Sequence, residues 1–408
     1  MADSKNTGQP EDTRPIPDWI DAALLQQALR NGGEENFQVT DISVSYATSP
    51  GDNYGSTIYR AKATLSDGGQ RSFIVKGPAP GANISSLATE LGVFRRETLM
   101  LAEVIPKMEA LLEEAAPGRY PPLAPRCYHH GTSPVEFLVL EDLAPPGFKM
   151  ADRKRGLGLK HSLLALRTLA RFHAASYTVL QREPGLAEKL DNIWRTMSLG
   201  LTGYVDALIR GAAEVCRSWP GFQEYAERLE KFKKVAMDTY VKLNEPQPEA
   251  FNVITHGDYW IINFLFRYED GVPTDIRALD YQMTRVASPA VDLTYFFASS
   301  VRDEVHARHQ DMLLRKYHLE FRNTMELLGQ EAPPLEALRS ALDFHGSFSL
   351  FVALAKPILV AERGNNTEAM MTGDHSQLLP LYQHPDVEKW LQRVIPDYAR
   401  RGWLPELS

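Results

Sequence analysis

Asp258, Asn263 and Asp280 are three residues whose types and spacing could serve phosphoryl transfer. They lie in Ile254-Thr255-His256-Gly257-Asp258-Tyr259-Trp260-Ile261-Ile262-Asn263-Phe264-Leu265-Phe266 and in Ala278-Leu279-Asp280-Tyr281-Gln282. A hydroxyl is a weak nucleophile and a triphosphate is heavily charged, so a site joining them must orient the one and neutralise the other. The phosphoryl-transfer pattern does this with an aspartate for the hydroxyl, an asparagine five positions later for metal, and a later aspartate bridging metal to phosphates. Asp258 would accept or orient the proton, and Asn263 and Asp280 would present oxygens to Mg²⁺, which keeps much of its water and needs few protein ligands. The apolar residues with β character around them predict short strands separated by a tight turn. Read blandly, Asp258 and Asp280 would be mere turn residues.

Such a site needs elements that bring a nucleotide to it. Phe37 to Ala47, Thr57 to Leu65 and Arg71 to Lys76 read as three strands, the last two joined by the hairpin turn Ser66-Asp67-Gly68-Gly69. Between the first two lies Ser49-Pro50-Gly51-Asp52-Asn53-Tyr54-Gly55-Ser56. Glycines there would let backbone amides approach phosphate oxygens without a Cβ in the way, and Lys76 would supply a point charge. An ordinary loop and a strand-end lysine with its head in water are the plain alternatives. Cys127 to Gly131 and Glu136 to Leu143 form an expected hairpin. Beyond Pro145-Pro146 helical periodicity takes over, with Leu163, Leu166, Ala170, His173 and Ala174 on one face of a helix from about 157 to 180. Further helices are expected at 198–216, 221–244, 302–328, 335–354 and 386–401. His173 reads as a hydrogen-bonded core residue. His306 and His309 share a helix face but lack a third zinc ligand.

Taken together, His256 to Asn263, Leu279-Asp280-Tyr281-Gln282 and Ala287-Ser288-Pro289-Ala290-Val291-Asp292-Leu293 resemble the ecdysteroid kinase-like family, relatives of the aminoglycoside and choline kinases. The resemblance implies an α+β, protein kinase-like bilobal fold, with a small antiparallel β-sheet N-lobe and a larger mainly helical C-lobe. It places a leader at 1–15, a nucleotide-binding lobe at 16–143 with a hinge near 141–143, and the helical lobe at 144–408. Gly51, Asn53, Tyr54, Gly55 and Ser56 resemble the family's nucleotide loop, with Asp52 where glutamate is usual. Phe94 and Glu97 match a Phe-x-x-Glu spacing, which implies that Glu97 pairs with Lys76 and holds it against the phosphates. Glu141 to Leu143 would meet the adenine, and Asp292 would brace the catalytic loop. The implied activity is an ATP- and Mg²⁺-dependent kinase for a small-molecule hydroxyl, a secondary alcohol on a steroid-like molecule. Tyr259, Trp260 and Trp194 could wall its pocket, though core packing accounts for them equally well. The rivals are a choline- or aminoglycoside-type kinase and a non-catalytic pseudokinase.

Composition sets the outer bounds. A chain of 408 residues exceeds the size of a single core, and 44% hydrophobic with 24% charged residues is ordinary for a globular protein. A formal charge of −8 disfavours nucleic acid and anionic membranes as partners. Cys127 and Cys216 make no disulfide framework, and the polar residues 1–18 lack a secretory core. The apolar run from Gly346 to Ala355 is far short of the roughly 20 residues that span a bilayer. A cytoplasmic protein with no obligate protein partner is the resulting expectation.

Overall fold

The computed structural model describes residues 14–48, 56–78, 92–247, 250–357, 375–404 and 406. Gly51, Asn53, Tyr54 and Gly55 lie outside them. The chain divides into two units, one holding the described residues up to 78 together with Cys127–Asp142, the other holding the rest.

The first unit is a five-stranded antiparallel sheet with one helix. Asp21 caps α1 (Ala22–Asn31) by accepting the Leu24 N–H at 2.8 Å. Strands β1 (Val39–Tyr46), β2 (Ser56–Leu65), β3 (Gln70–Pro78), β4 (Cys127–Gly131) and β5 (Phe137–Glu141) are ordered β1-β2-β3-β5-β4. Their alternation buries Tyr59, Ala61, Ala63, Leu65, Phe73, Val75, Phe137 and Val139 together with Leu25, Ala28 and Leu29 of the helix. Each large apolar side chain so buried contributes about 1.5–3 kcal/mol. The expected β2–β3 turn forms, with Gly68 at positive φ and the Gly69 N–H bonded to Asp67 Oδ1. β3 places Lys76 opposite Ile58 on one side and Leu138 on the other.

The second unit is mainly helical. It includes α2 (Val93–Leu99), which continues through a wider turn at Met100–Val104 into α3 (Ile105–Ala115). The segment from Gly92 to Arg126 groups with the helices of this second unit. Arg96, buried, donates to Thr284 O at 3.0 Å and Asp191 Oδ1 at 2.7 Å, and Lys107 pairs with Glu183 at 2.7 Å. A short β6 (Lys149–Met150) precedes α4 (Leu159–Arg182), α5 (Ile193–Ser218), α6 (Gln223–Lys233) and α7 (Ala236–Leu243). Strands β7 (Val253–Thr255), β8 (Phe264–Glu269), β9 (Val272–Ala278) and β10 (Arg285–Ala287) follow. Then come α8 (Ala290–Ser299), α9 (Asp303–Leu327), α10 (Leu335–Phe344), α11 (Gly346–Leu354), α12 (His375–Tyr382) and α13 (Pro385–Arg400).

Two stretches expected as single helices are each two. The 221–244 run breaks at Lys234-Val235. The 335–354 run breaks at His345, whose ring bonds back to Ala341 O, and Gly346 meets Trp403 so closely that a Cβ would lie 2.1 Å from it. Among the described residues no helix is long and apolar enough to cross a membrane.

Candidate active site

Strand register gathers the three chemistry-bearing residues. β7 pairs antiparallel with β10, Thr255 opposite Arg285 and Val253 opposite Ala287, so the loops carrying Asp258 and Asp280 leave the same end of one ribbon. β8 pairs with β9 with Phe264 opposite Ala278, and the Leu279 N–H continues the pairing onto Asn263 O at 2.9 Å. Asn263 and Asp280 are thereby neighbours although seventeen residues apart.

The loop itself is held by polar contacts. Gly257 has φ +83°, and a Cβ there would lie 2.1 Å from Met283 O and 2.4 Å from Arg285 Nη1, so only glycine fits. Asp292, wholly buried on α8, accepts the His256 N–H at Oδ2 (2.7 Å) and the Gly257 N–H at Oδ1 (2.8 Å). His256 Nε2–H donates to Leu279 O at 3.0 Å, which leaves Nδ1 to accept the Asp258 N–H at 3.3 Å. Burial holds this imidazole below its ordinary pKa, so it is a neutral strut tying the two loops together.

Asn263 Nδ2 donates to Asp258 Oδ2 at 2.9 Å and to Asp258 O at 3.0 Å. With its nitrogen so committed, the amide keeps Oδ1 for another donor or a cation. Asp280 stands in the left-handed region at φ 66°, which aspartate tolerates better than most residues, and Gln282 Nε2 donates to its Oδ2 at 3.2 Å. Desolvation and the Asp280 carboxylate push the Asp258 carboxyl up to about 6. Polar groups of Tyr295, Asn263 and Trp260 pull it down, of which the Asn263 bond is short and well aligned, while the Trp260 indole N–H has no partner of good geometry. Two carboxylates that repel across a site, beside an available amide oxygen, are a donor set suited to a hard divalent cation. Among the described residues no group of three or more His, Cys, Asp or Glu side chains could hold a metal ion.

The remaining expected residues are placed as follows. Ser56 begins β2 and is buried, Lys76 is buried on β3, and Glu141 ends β5 opposite Phe73. Glu97 is buried on α2, and Leu143, also buried, gives its carbonyl to the Phe148 N–H at 3.0 Å. Asp142, within the expected Glu141 to Leu143 hinge, is fixed to the sheet by Arg60 at 2.7 Å and Ser72 at 2.6 Å. Tyr259 and Trp194 are not wall residues. Tyr259 is buried with its hydroxyl on Ala165 O, and Trp194 packs into the aromatic core of Tyr240, Phe348 and Phe351. Arg285 is fully buried and donates to two neutral groups, Met283 O and Asn244 Oδ1, and burial pulls its pKa down to about 10. Its position three residues before the Ser-Pro-Ala-x-Asp run gave no sign of this.

Comparison with curated proteins finds no match. Among solved structures, a choline/ethanolamine kinase family protein from Mesorhizobium loti shares 13% identity over 88% of this chain and 94% of that one, with a TM-score of 0.36. The GDP and kanamycin complex of APH(2")-IIia shares 11% identity over 93% and 99%, with a TM-score of 0.44. The GDP complex of wild-type aminoglycoside 2'-phosphotransferase-IIIa shares 12% over 92% and 98%, with a TM-score of 0.38. The five-stranded antiparallel sheet of one unit and the mainly helical second unit make this an α+β chain. The model of the ecdysteroid kinase-like family matches residues 50–330, well over half of the sequence, and the chain belongs to that family.

Proposed function

We propose that this protein is an ATP- and Mg²⁺-dependent kinase that phosphorylates a hydroxyl of a small apolar molecule, with secondary alcohols of ecdysteroid-like compounds and xenobiotics as the first class to test. The observation that carries the reading is the Asp258–Asn263 hydrogen bond beside Asp280, in a loop pinned by Asp292. Asp258 takes the proton of the acceptor hydroxyl as its oxygen bonds to the γ-phosphorus. The bond from that phosphorus to the β–γ bridging oxygen breaks, and ADP leaves. Asn263 Oδ1 and the Asp280 carboxylate are the groups that would hold Mg²⁺, which supplies charge neutralisation on the phosphates when bound.

Lys76 has the role of a cation for the phosphates, and Glu97 is the acidic residue that the family resemblance assigns beside it in function. Gly51, Asn53, Tyr54, Gly55 and Ser56 are assigned to the phosphates and Glu141 and Leu143 to the adenine. Family membership supports these assignments, as does the burial of Lys76 and Glu97. The protein works in the cytoplasm on small molecules, without nucleic acid or a membrane.

The test is to incubate the protein with ATP and Mg²⁺ and a panel of ecdysteroids, plant glycosides, choline and aminoglycosides, following ADP release and product mass. A product heavier by one phosphoryl group from an apolar alcohol, lost in Asp258→Ala with nucleotide binding retained, is the expected result. Phosphorylation of choline or aminoglycosides alone would reassign the acceptor. Nucleotide binding without transfer to any compound would make the chain a non-catalytic binding protein.

A further inference from the structure

The loop bearing Asp258 is held from behind by side chains of helix α4 that carry no assigned role. His173 and Ser176 stand three residues apart on one face of that helix, separated by Ala174 and Ala175, all four fully buried. Ser176 Oγ accepts the Ile254 N–H at 3.1 Å, fixing the strand that leads into the loop. His173 Nε2 lies 3.0 Å from Asp292 Oδ2, and its Nδ1 lies 2.7 Å from the Tyr317 hydroxyl on α9.

We propose that His173 and Tyr317 are positioning residues for the transfer reaction, orienting Asp292 so that both its oxygens face the loop that presents Asp258. The inference rests on the functional reading given above. Its logic is one of donors and acceptors. Asp292 accepts at Oδ2 from both the His256 N–H and His173, and at Oδ1 from the Gly257 N–H, so rotating its carboxylate would break bonds on both sides. That requires the His173 proton to be on Nε2, and with Nε2–H turned to Asp292 the Nδ1 lone pair takes the Tyr317 hydroxyl proton. Tyr317 thereby selects the imidazole tautomer. Remove its hydroxyl and nothing fixes which nitrogen faces the carboxylate. The chain of bonds runs from α9 through α4 and α8 to two consecutive backbone amides of the loop, immediately before Asp258. An error of about 1 Å in the placement of the reacting group costs on the order of a hundredfold in rate, so a buried histidine out of reach of substrate can govern turnover.

The experiment uses the full chain with ATP, Mg²⁺ and the acceptor identified by the panel, comparing Tyr317→Phe, His173→Gln and His173→Leu with wild type. The expected result is a kcat lower by about tenfold or more in Tyr317→Phe and His173→Leu, with the nucleotide KM within about twofold of wild type. His173→Gln, which keeps an N–H for Asp292, should recover most of the lost rate. Wild-type kcat in both damaging variants would overturn the proposal, as would His173→Gln performing no better than His173→Leu.

A second measurement serves should a variant not fold. The assigned ¹⁵N spectrum of histidine-labelled wild-type protein should show the His173 imidazole, like that of His256, protonated at Nε2 and protected from solvent exchange, and assignment of the Nδ1–H tautomer to His173 overturns the proposal. Should Asp258→Asn turn over like wild type, the functional reading fails and the positioning role falls with it. An inactive Asp258→Asn beside a fully active Tyr317→Phe and His173→Leu sinks the positioning role alone.

Discussion

His173 Nε2 stands 3.0 Å from Asp292 Oδ2 with neither side chain reaching solvent. The same carboxylate takes two backbone N–H groups, so Asp292→Ala leaves three donors without a partner in a dry interior. A buried donor left unsatisfied costs about 1–3 kcal/mol. The denaturation midpoint of Asp292→Ala should fall accordingly at neutral pH, and a change under about 1 kcal/mol would show that the loop is held by other means.

The same carboxylate predicts how that gap varies with pH. Burial would raise the Asp292 pKa, but the hydrogen bonds it accepts from His173 and from the Gly257 N–H stabilise the carboxylate, and the net effect holds the pKa below the ordinary value. A depressed folded-state pKa contributes stability above the unfolded pKa of about 3.9, and that contribution is lost as pH falls through the lower folded value. The difference between wild type and Asp292→Ala should therefore be flat between about pH 5 and 8 and narrow below about pH 4. Denaturation series at neutral and acid pH read it directly, and a gap unchanged at about pH 3 contradicts the assignment.

Gly257→Ala tests the tightest point of the loop. The left-handed backbone costs a residue with a side chain about 1–2 kcal/mol, and the clash with Met283 O adds about 1–3 kcal/mol, because the obstacle is backbone and cannot swing away. A loss of about 2–5 kcal/mol is expected, with activity falling in step as Asp258 moves. A melting temperature equal to that of wild type would mean that the turn is free to open.

The meeting of Asp258 and Asn263 was legible in the sequence because it is local. Asp258 and Asn263 are five residues apart, and the glycine and short apolar runs around them dictate a turn between strands, so their meeting needs no long-range information. Asp280 required the pairing of Phe264 with Ala278, which alternating apolar residues and the Asp270-Gly271 turn between two strands make readable. What could not be read is whatever depends on helices meeting. His173 looks like any core histidine until α8 and α9 bring Asp292 and Tyr317 to its two nitrogens. The segment from Gly92 to Arg126 has nothing in its own composition that assigns it to either unit, and it is Arg96 reaching Thr284 that does so. Tyr259 and Trp194 are aromatic for packing, and an aromatic near a catalytic aspartate in sequence carries no record of which way it points.

Asp258 itself should be a source of instability. Desolvation and Asp280 raise its pKa to about 6, above the unfolded value of about 3.9, so the folded state binds the proton more tightly. By linkage, stability falls as pH rises from about 4 to about 6, and the full penalty is present at pH 8. A two-unit shift corresponds to about 3 kcal/mol, and since Asp258 is partly exposed, solvent screening reduces the expected effect to about 1–2 kcal/mol. Asp258→Asn removes the charge while leaving a carbonyl oxygen for Asn263, so it should melt higher than wild type at pH 8 and converge with it near pH 4. Mg²⁺ with nucleotide should narrow the pH 8 gap from the other side, by stabilising the wild-type pair of carboxylates. A variant less stable than wild type at pH 8 would show that the carboxylate is worth more to the fold as a hydrogen-bond acceptor than it costs as a charge, and the strain ascribed to Asp258 and Asp280 would have to be abandoned.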